Sequence, residues 1–596
     1  LPTVSVVPGA LSLAQTQISI DGSPTTVGSG SGVTLRLRAR DSAGNFILSG
    51  GSTVVFTYGG GTSTGTIGGT SDLGNGQYSA DFTGAAAGTA VSISATVGGS
   101  SVTSISPQIQ VIPGAPSVAN STITVANGSV QSGLNVGVTL TTRDAFGNLI
   151  TVGGQTVTFN NSGGSSTGSF GSVTDNSNGT YTANFTGIVS GTPTNIGGSI
   201  GGVAITSSLP QITVIPGPAN VATSLVTVSS GSVISGNNVT LTLTTYDAGG
   251  NAVTTGGSTV VFSRSGGTST GNISATTDNN NGTYSATFTG VVSGSATTIR
   301  ATIGGALVST ASPTITVNPG SISAANSVIS LSSSSVNSGS NVTLTLTARD
   351  LNNNLVPTGG ATVVFNRSGG TSTGNISATS DSGTGNYTAT FTGVVSGTPT
   401  TIGGTINGTP VSTTLPTLTV NPGPMSLANS LISVSSGTIN SGSNSTLTLT
   451  GIDAAGNFLT AGGATVVFSY SGGTSTGTIG STTDNGNGTY SASFTGLLSG
   501  TPTTIGATVG GSAITSTLPT ILVNPGPASL ANSLLTVSSG SLLSGALSNL
   551  TLTVRDAAGN QQSVGGRTVV FSNTGGSSTG NITATTDNNN GTYTAT

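Results

Sequence analysis

A period of 103 residues constrains this chain more than any other feature. Asp41, Asp144, Asp247, Asp350, Asp453 and Asp556 recur at that interval, as do Asp72, Asp175, Asp278, Asp381, Asp484 and Asp587. Tyr78, Tyr181, Tyr284, Tyr387, Tyr490 and Tyr593 keep the same step. No insertion or deletion falls between these columns. A unit of about 100 residues can bury its own core, unlike the roughly 20–50-residue units of solenoids. The expectation is therefore a string of autonomous repeats: residues 9–113, 114–216, 217–319, 320–422 and 423–525. Residues 526–596 read as an incomplete sixth repeat. Residues 1–8 (LPTVSVVP) match 518–525 (LPTILVNP) and read as the last strand of a preceding repeat. The sixth repeat stops at Thr596, so the chain reads as a window cut from a longer array.

Each repeat is organised around one hairpin, TTDNNNGTYSATFTG at residues 276–290. Asp and Asn bond their own backbone in such a turn, and Asn-Gly supplies its φ > 0 positions. The residues that follow alternate. Tyr284, Ala286 and Phe288 fall on one face, and Ser285, Thr287 and Thr289 on the other. That is a strand with one buried and one wet face.

The third repeat supplies seven such segments: residues 224–230, 238–247, 258–263, 271–277, 283–289, 296–303 and 315–317. Val239, Leu241 and Leu243 point inward, and Phe262 is a core anchor. Turn signals every 8–12 residues or so, without helical periodicity, specify an all-β fold of tandem seven-stranded sandwiches. Disorder is the alternative for so Gly/Ser/Thr/Asn-rich a chain, and strict alternation with fixed aromatics argues against it. Pro-Gly closes each repeat, at Pro113-Gly114, Pro216-Gly217 and onward, and stops the strand. Only about ten residues precede the next strand, so neighbours should touch and form a semi-rigid rod. Six units end to end would reach about 200 Å.

Composition narrows the function. Charged residues make up 4% of the chain, all 14 acids being Asp and all 10 bases Arg. Lys, Glu, His, Cys and Trp are absent. So sparse a positive charge cannot grip nucleic acid. There is no basic amphipathic stretch to lie on a membrane and no apolar run long enough to insert in one. Absent Cys and Lys exclude disulfides and Lys–Asn cross-links, so packing alone must hold the fold.

D-x-x-G-N, then T-V-V-F, then D-N-x-N-G-T-Y-x-A-x-F-T-G, return through the repeats. The set resembles the bacterial Ig-like repeats of the invasin/intimin type, close to the third extracellular domain of invasin. The hairpin is also similar to that of filamin repeats. The resemblance covers every full repeat and implies Ig-like sandwiches on an extracellular stalk at the cell surface, as in large adhesins. It does not name a ligand.

Catalysis fails on inventory. Without His, Cys or Glu, the usual general bases and the Ser-His-Asp arrangement are unavailable to the chain. No catalytic, cofactor-binding or metal-binding residue is assigned. Calcium is the one cofactor considered, with Asp247 and Asp278 meeting at one end of a sandwich. The Asp278–Gly282 turn places its Gly one position too early for an EF-hand loop and lacks the closing Glu. Structural Asx turns explain Asp, Asn and Gly together and are preferred. Asn-x-Ser/Thr at Asn178, Asn281, Asn375 and Asn590 is common in such a composition and does not by itself indicate glycosylation. Tyr58, Asn161, Arg264, Arg367, Tyr470 and Asn573 form a varying column, either drifting surface or a contact between chains. Thr240, Thr242 and Thr244 form a hydroxyl row, read as solvent face rather than as an ice or glycan site.

Three functions compete: a surface stalk or fibre, a self-assembling filament or lattice favoured by near-zero charge, and a module binding glycan, ice or a host receptor. The expected partners are neighbouring repeats and copies of the chain itself. Binding ranks last, because no aromatic cluster or charged groove stands out.

Overall fold

The computed structural model describes residues 3–23 and 25–596. The chain forms two compact units, one running to Val317 apart from Ile234–Gly236, the other made of Ile234–Gly236 with Asn318–Thr596. Among the described residues there is no helix long and apolar enough to cross a membrane.

The first repeat shows the architecture. Its strands are β1 (Gln17–Ile20), β2 (Thr26–Gly28), β3 (Gly32–Arg38), β4 (Val54–Gly59) and β5 (Gly65–Ile67). They continue as β6 (Ser71–Asp72), β7 (Gln77–Gly84), β8 (Val91–Val97), β9 (Ser100–Ser101) and β10 (Gln108–Ile112). One five-stranded sheet runs β1-β3-β7-β5 with β6 beside β7, and the other runs β2-β10-β8-β4 with β9 beside β8. Pairing is antiparallel except for β2, which lies parallel to β10. The same order recurs from Thr122 to Ile215 in the same unit, and from Val328 to Asn421 and Leu431 to Asn524 in the other.

Alternation along each strand builds the core. On β3 and β7, Leu35, Leu37, Tyr78, Ala80 and Phe82 turn inward and meet Ile93, Ala95 and Ile109 from the facing sheet. Each large side chain removed from water there stabilises the sandwich by about 1.5–3 kcal/mol. The buried tyrosines keep their hydroxyls satisfied: Tyr78 Oη accepts the Ser52 N–H at 3.0 Å and Tyr284 Oη the Ser258 N–H at 2.9 Å. The hairpin forms, but its two left-handed positions are Asn280 and Gly282 rather than the adjacent Asn281-Gly282 pair. Asp278 Oδ1 accepts the Asn280 N–H at 2.9 Å, Asn280 has φ 57° and Gly282 φ 80°. A Cβ on Gly282 would also run into the Val253 carbonyl, so glycine is demanded twice.

One expectation needs correction. Against seven strands, ten are present, because β2, β6 and β9 add to the set. They are two or three residues long, too short to show alternation, and they exist only by pairing with longer neighbours. Leu1 and Pro2 lie outside the described residues, and Thr3–Pro8 carry no strand, with Val4 88% exposed. Their match, Thr520–Asn524, pairs with Thr503–Val509 and Thr438–Asn440 of its own repeat. Thr3–Pro8 have no such partners among the described residues.

The sixth repeat forms a single four-stranded sheet of Ala528–Val537, Leu550–Asp556, Thr586–Asp587 and Thr592–Ala595. Without a facing sheet its inner side is open: Leu535 is 58% exposed where its counterpart Ile432 is 6% exposed.

Gly65 on β5 lies under the Phe82 ring. A Cβ there would stand 2.6 Å from the ring and 2.5 Å from the Thr83 carbonyl oxygen. Gly65→Ala is expected to destabilise the first repeat by about 1–3 kcal/mol through overpacking. Amide exchange should then accelerate on β5 and β7, while strands between Leu431 and Asn524 keep their protection.

Candidate functional site at the joints between repeats

The D-x-x-G-N segment after β3 first makes a local turn. In the third repeat, Asp247 Oδ1 accepts the N–H groups of Gly249 at 2.9 Å and Asn251 at 2.8 Å. Asp247 Oδ2 accepts the Asn251 side-chain amide at 2.9 Å and the N–H of Gly217, from the Pro-Gly linker, at 2.9 Å. One carboxylate thereby ties a turn to the linker that enters the repeat.

The asparagine then reaches the preceding repeat. Asn148 Nδ2 donates to the Ala85 carbonyl at 2.7 Å, and its Oδ1 accepts the Ala87 N–H at 2.8 Å. Asn251 does the same with Ile188 O and Ser190 N, both at 2.9 Å, and also donates to Ser132 Oγ at 2.9 Å. In the other unit, Asn457 joins Val394 O and Ser396 N, each at 2.8 Å. Asn560 joins Leu497 O and Ser499 N, again at 2.8 Å. Four joints thus share one clasp: aspartate holds linker and asparagine, and asparagine holds the neighbour's loop. The amide of asparagine suits this, because it offers a donor and an acceptor side by side to a backbone C=O and N–H.

Burial pushes the carboxyls of Asp144, Asp247, Asp453 and Asp556 up. Hydrogen bonds from the partner asparagine and the linker glycine outweigh it and hold each one below the usual carboxylate range. Asp41, in the first repeat, is lowered to about 2 by hydrogen bonds from Asn45, Gly9 and Ala43.

The other candidates separate. Asp278 serves its own hairpin and the Gly257 N–H at 2.7 Å, and shares no partner with Asp247. Among the described residues no three His, Cys, Asp or Glu side chains come together as metal ligands do. In the varying column, Arg264 and Arg367 are exposed. Tyr58 instead donates to the Gly65 carbonyl at 2.7 Å and meets Phe82 edge-on, ring centroids 5.4 Å apart. Thr240, Thr242 and Thr244 lie on the outer face of their sheet. Asn178 and Asn281 are exposed and cap their turns with Thr180 and Thr283.

Sequence reasoning missed the clasp asparagine. A signal was present: Asn45, Asn148, Asn251, Asn354, Asn457 and Asn560 never vary, while the position two before them runs Ala43, Phe146, Gly249, Asn352, Ala455, Ala558. A turn alone tolerates Gly or Asp where a bridging amide is needed.

Five consecutive segments, residues 10–114, 117–217, 220–320, 323–423 and 426–525, match the model for invasin, domain 3. The chain belongs to the invasin domain 3 family. Among solved structures, the adhesin FdeC of Escherichia coli is 23% identical, with a TM-score of 0.33, over 52% of this chain and 99% of that one. Invasin, a bacterial integrin-binding protein, is 20% identical at a TM-score of 0.32, over 71% and 81%. InvD of Yersinia pseudotuberculosis is 21% identical at 0.29, over 57% and 95%. The assignment rests on the sequence match and not on these scores. No match was found among curated protein sequences.

Removing the bridging amide should loosen one joint and spare the folds on either side. Asn457→Ala is expected to cost about 1–3 kcal/mol, the penalty for buried groups left unpaired. It should speed amide exchange at Ser396 and Gly423 while leaving the β-strands of both repeats protected.

The clasp should also open in acid. Each aspartate has a folded-state pKa below its unfolded value. The stability it gives is therefore full above the unfolded value of 3.8 and is lost as pH falls through the folded one, about 2 for Asp41. Exchange at Gly9, Gly114, Gly423 and Gly526, corrected for intrinsic rate, should be flat from pH 8 to 5 and rise below about pH 4.

Proposed function

We propose that this chain is part of the shaft of an extracellular, adhesin-like protein on a bacterial surface, where it works by length and stiffness rather than by chemistry. The observation that carries this reading is the clasp. A slack linker would let each domain tumble, whereas these neighbours are bonded through an amide and a carboxylate at each of the four joints described. Membership of the invasin domain 3 family supports a surface role. The residue inventory supports a passive one, since neither His nor Cys nor Glu is present for catalysis.

A second reading, a filament or lattice made of copies of the chain, draws on one further fact. The net charge of -4 on 596 residues supplies little repulsion to keep chains apart.

Electron microscopy of the purified chain separates the two. Isolated thin rods, stiff across successive domains, are expected for the shaft. Ordered bundles or tubes would favour assembly. Particles with no persistent direction from one domain to the next would overturn the shaft reading.

A further inference from the structure

The first repeat departs from the others on one surface. The outer face of β3 carries Arg36 and Arg38, and Arg40 follows two residues on. The positions of Arg36 and Arg38 are threonine in each of the other repeats: Thr139 and Thr141, Thr242 and Thr244, Thr345 and Thr347, Thr448 and Thr450, Thr551 and Thr553. The sandwich therefore folds without arginine at these two positions.

Their charges are not all answered. Arg36 is paired with Asp21 at 2.8 Å, and Asp81 accepts a hydrogen bond from Thr34 at 2.7 Å, so both acids of this face are engaged at one end of it. Toward the other end, Arg38 and Arg40 both lie over the Phe46 ring, 3.8 and 4.2 Å from its centroid. Arg40 donates to the Gly44 carbonyl and to Gln17 Oε1. The Arg38 side chain makes no ion pair or hydrogen bond with any described residue, and its Nε, like that of Arg40, is shut off from solvent without an acceptor. In register with Arg38, Gln17 and Gln77 stand on the strands to either side.

Stacking on an aromatic ring fixes the plane of a guanidinium, and with Nε shut off it is the two terminal nitrogens of Arg38 that remain to take an oxyanion in a bidentate grip. The flanking amides both donate and accept, which suits neighbouring hydroxyls. An anionic group between hydroxyls is the pattern of an acidic sugar. Acidic protein side chains offer the oxyanion without the hydroxyls. We propose that this face of the first repeat binds an acidic polysaccharide, with Arg38 and Arg40 on its carboxylate or sulfate oxygens and Gln17 and Gln77 on its hydroxyls.

The test uses the full chain over four immobilised polymers: heparin, polygalacturonate, dextran and poly-glutamate. Retention is expected on heparin, polygalacturonate or both, and not on dextran or poly-glutamate, and it should fall as salt rises. Which of the first two holds the chain identifies sulfate or carboxylate as the group recognised. Arg38→Thr installs the residue that the other repeats carry and should weaken retention by about tenfold, the worth of one charge-assisted contact. Arg38→Gln, which keeps the bulk over Phe46, should do the same, and Arg143→Thr in the second repeat should change nothing. Failure of both acidic polysaccharides to retain the chain would overturn the proposal. So would equal retention on dextran or poly-glutamate, or Arg38 variants that bind like the parent.

Discussion

Hydrogen bonds from short polar side chains to the backbone hold together what the hydrophobic core does not reach. A sandwich of two five-stranded sheets buries its strands well, yet its loops expose N–H and C=O groups that must find partners. In a chain with 4% charged residues, ion pairs cannot do this work, and among the described residues only Arg36 and Asp21 form one. Asp, Asn and Ser do it instead. Asp247 closes a turn and a linker, and Tyr284 pins the loop before the next strand from inside the core. Ser63 Oγ, buried between the sheets, accepts the Val111 N–H at 2.9 Å. A carboxylate receiving several N–H bonds is worth more in such a place than a surface ion pair, because its partners are preorganised and partly shielded from water.

The same economy of residue types explains the joints. Large apolar contacts between domains would need exposed hydrophobic patches whenever a neighbour moved away. A polar clasp leaves soluble surfaces if it opens and a defined geometry while it is shut. Because the aspartate sits at the end of a core strand and the asparagine four residues later, the contact is anchored to the rigid part of each sandwich.

Much of this was legible in the sequence, for physical reasons. Period-two alternation in TYSATFTG placed Tyr284, Ala286 and Phe288 inside, where they are buried. Asn-Gly chemistry placed the hairpin. The three short strands were not legible, since two or three residues cannot display a period and depend on partners distant in sequence. The clasp was hidden for a subtler reason. Within a single repeat D-x-x-G-N reads as a turn and no more, and only the comparison across repeats shows an asparagine that never varies. The arginines of the first repeat were visible as residues and overlooked as a surface. Only the register of β1, β3 and β7 shows that Arg38 stands between two glutamines and beside an aromatic ring.

The clasp has a genetic corollary. At each joint described, the amide comes from one repeat and the loop it grips from the one before, and a typical repeat carries both halves. Unequal recombination that duplicates or deletes a whole repeat would leave every surviving junction complete. The number of repeats can thus change with no compensating substitution at any joint.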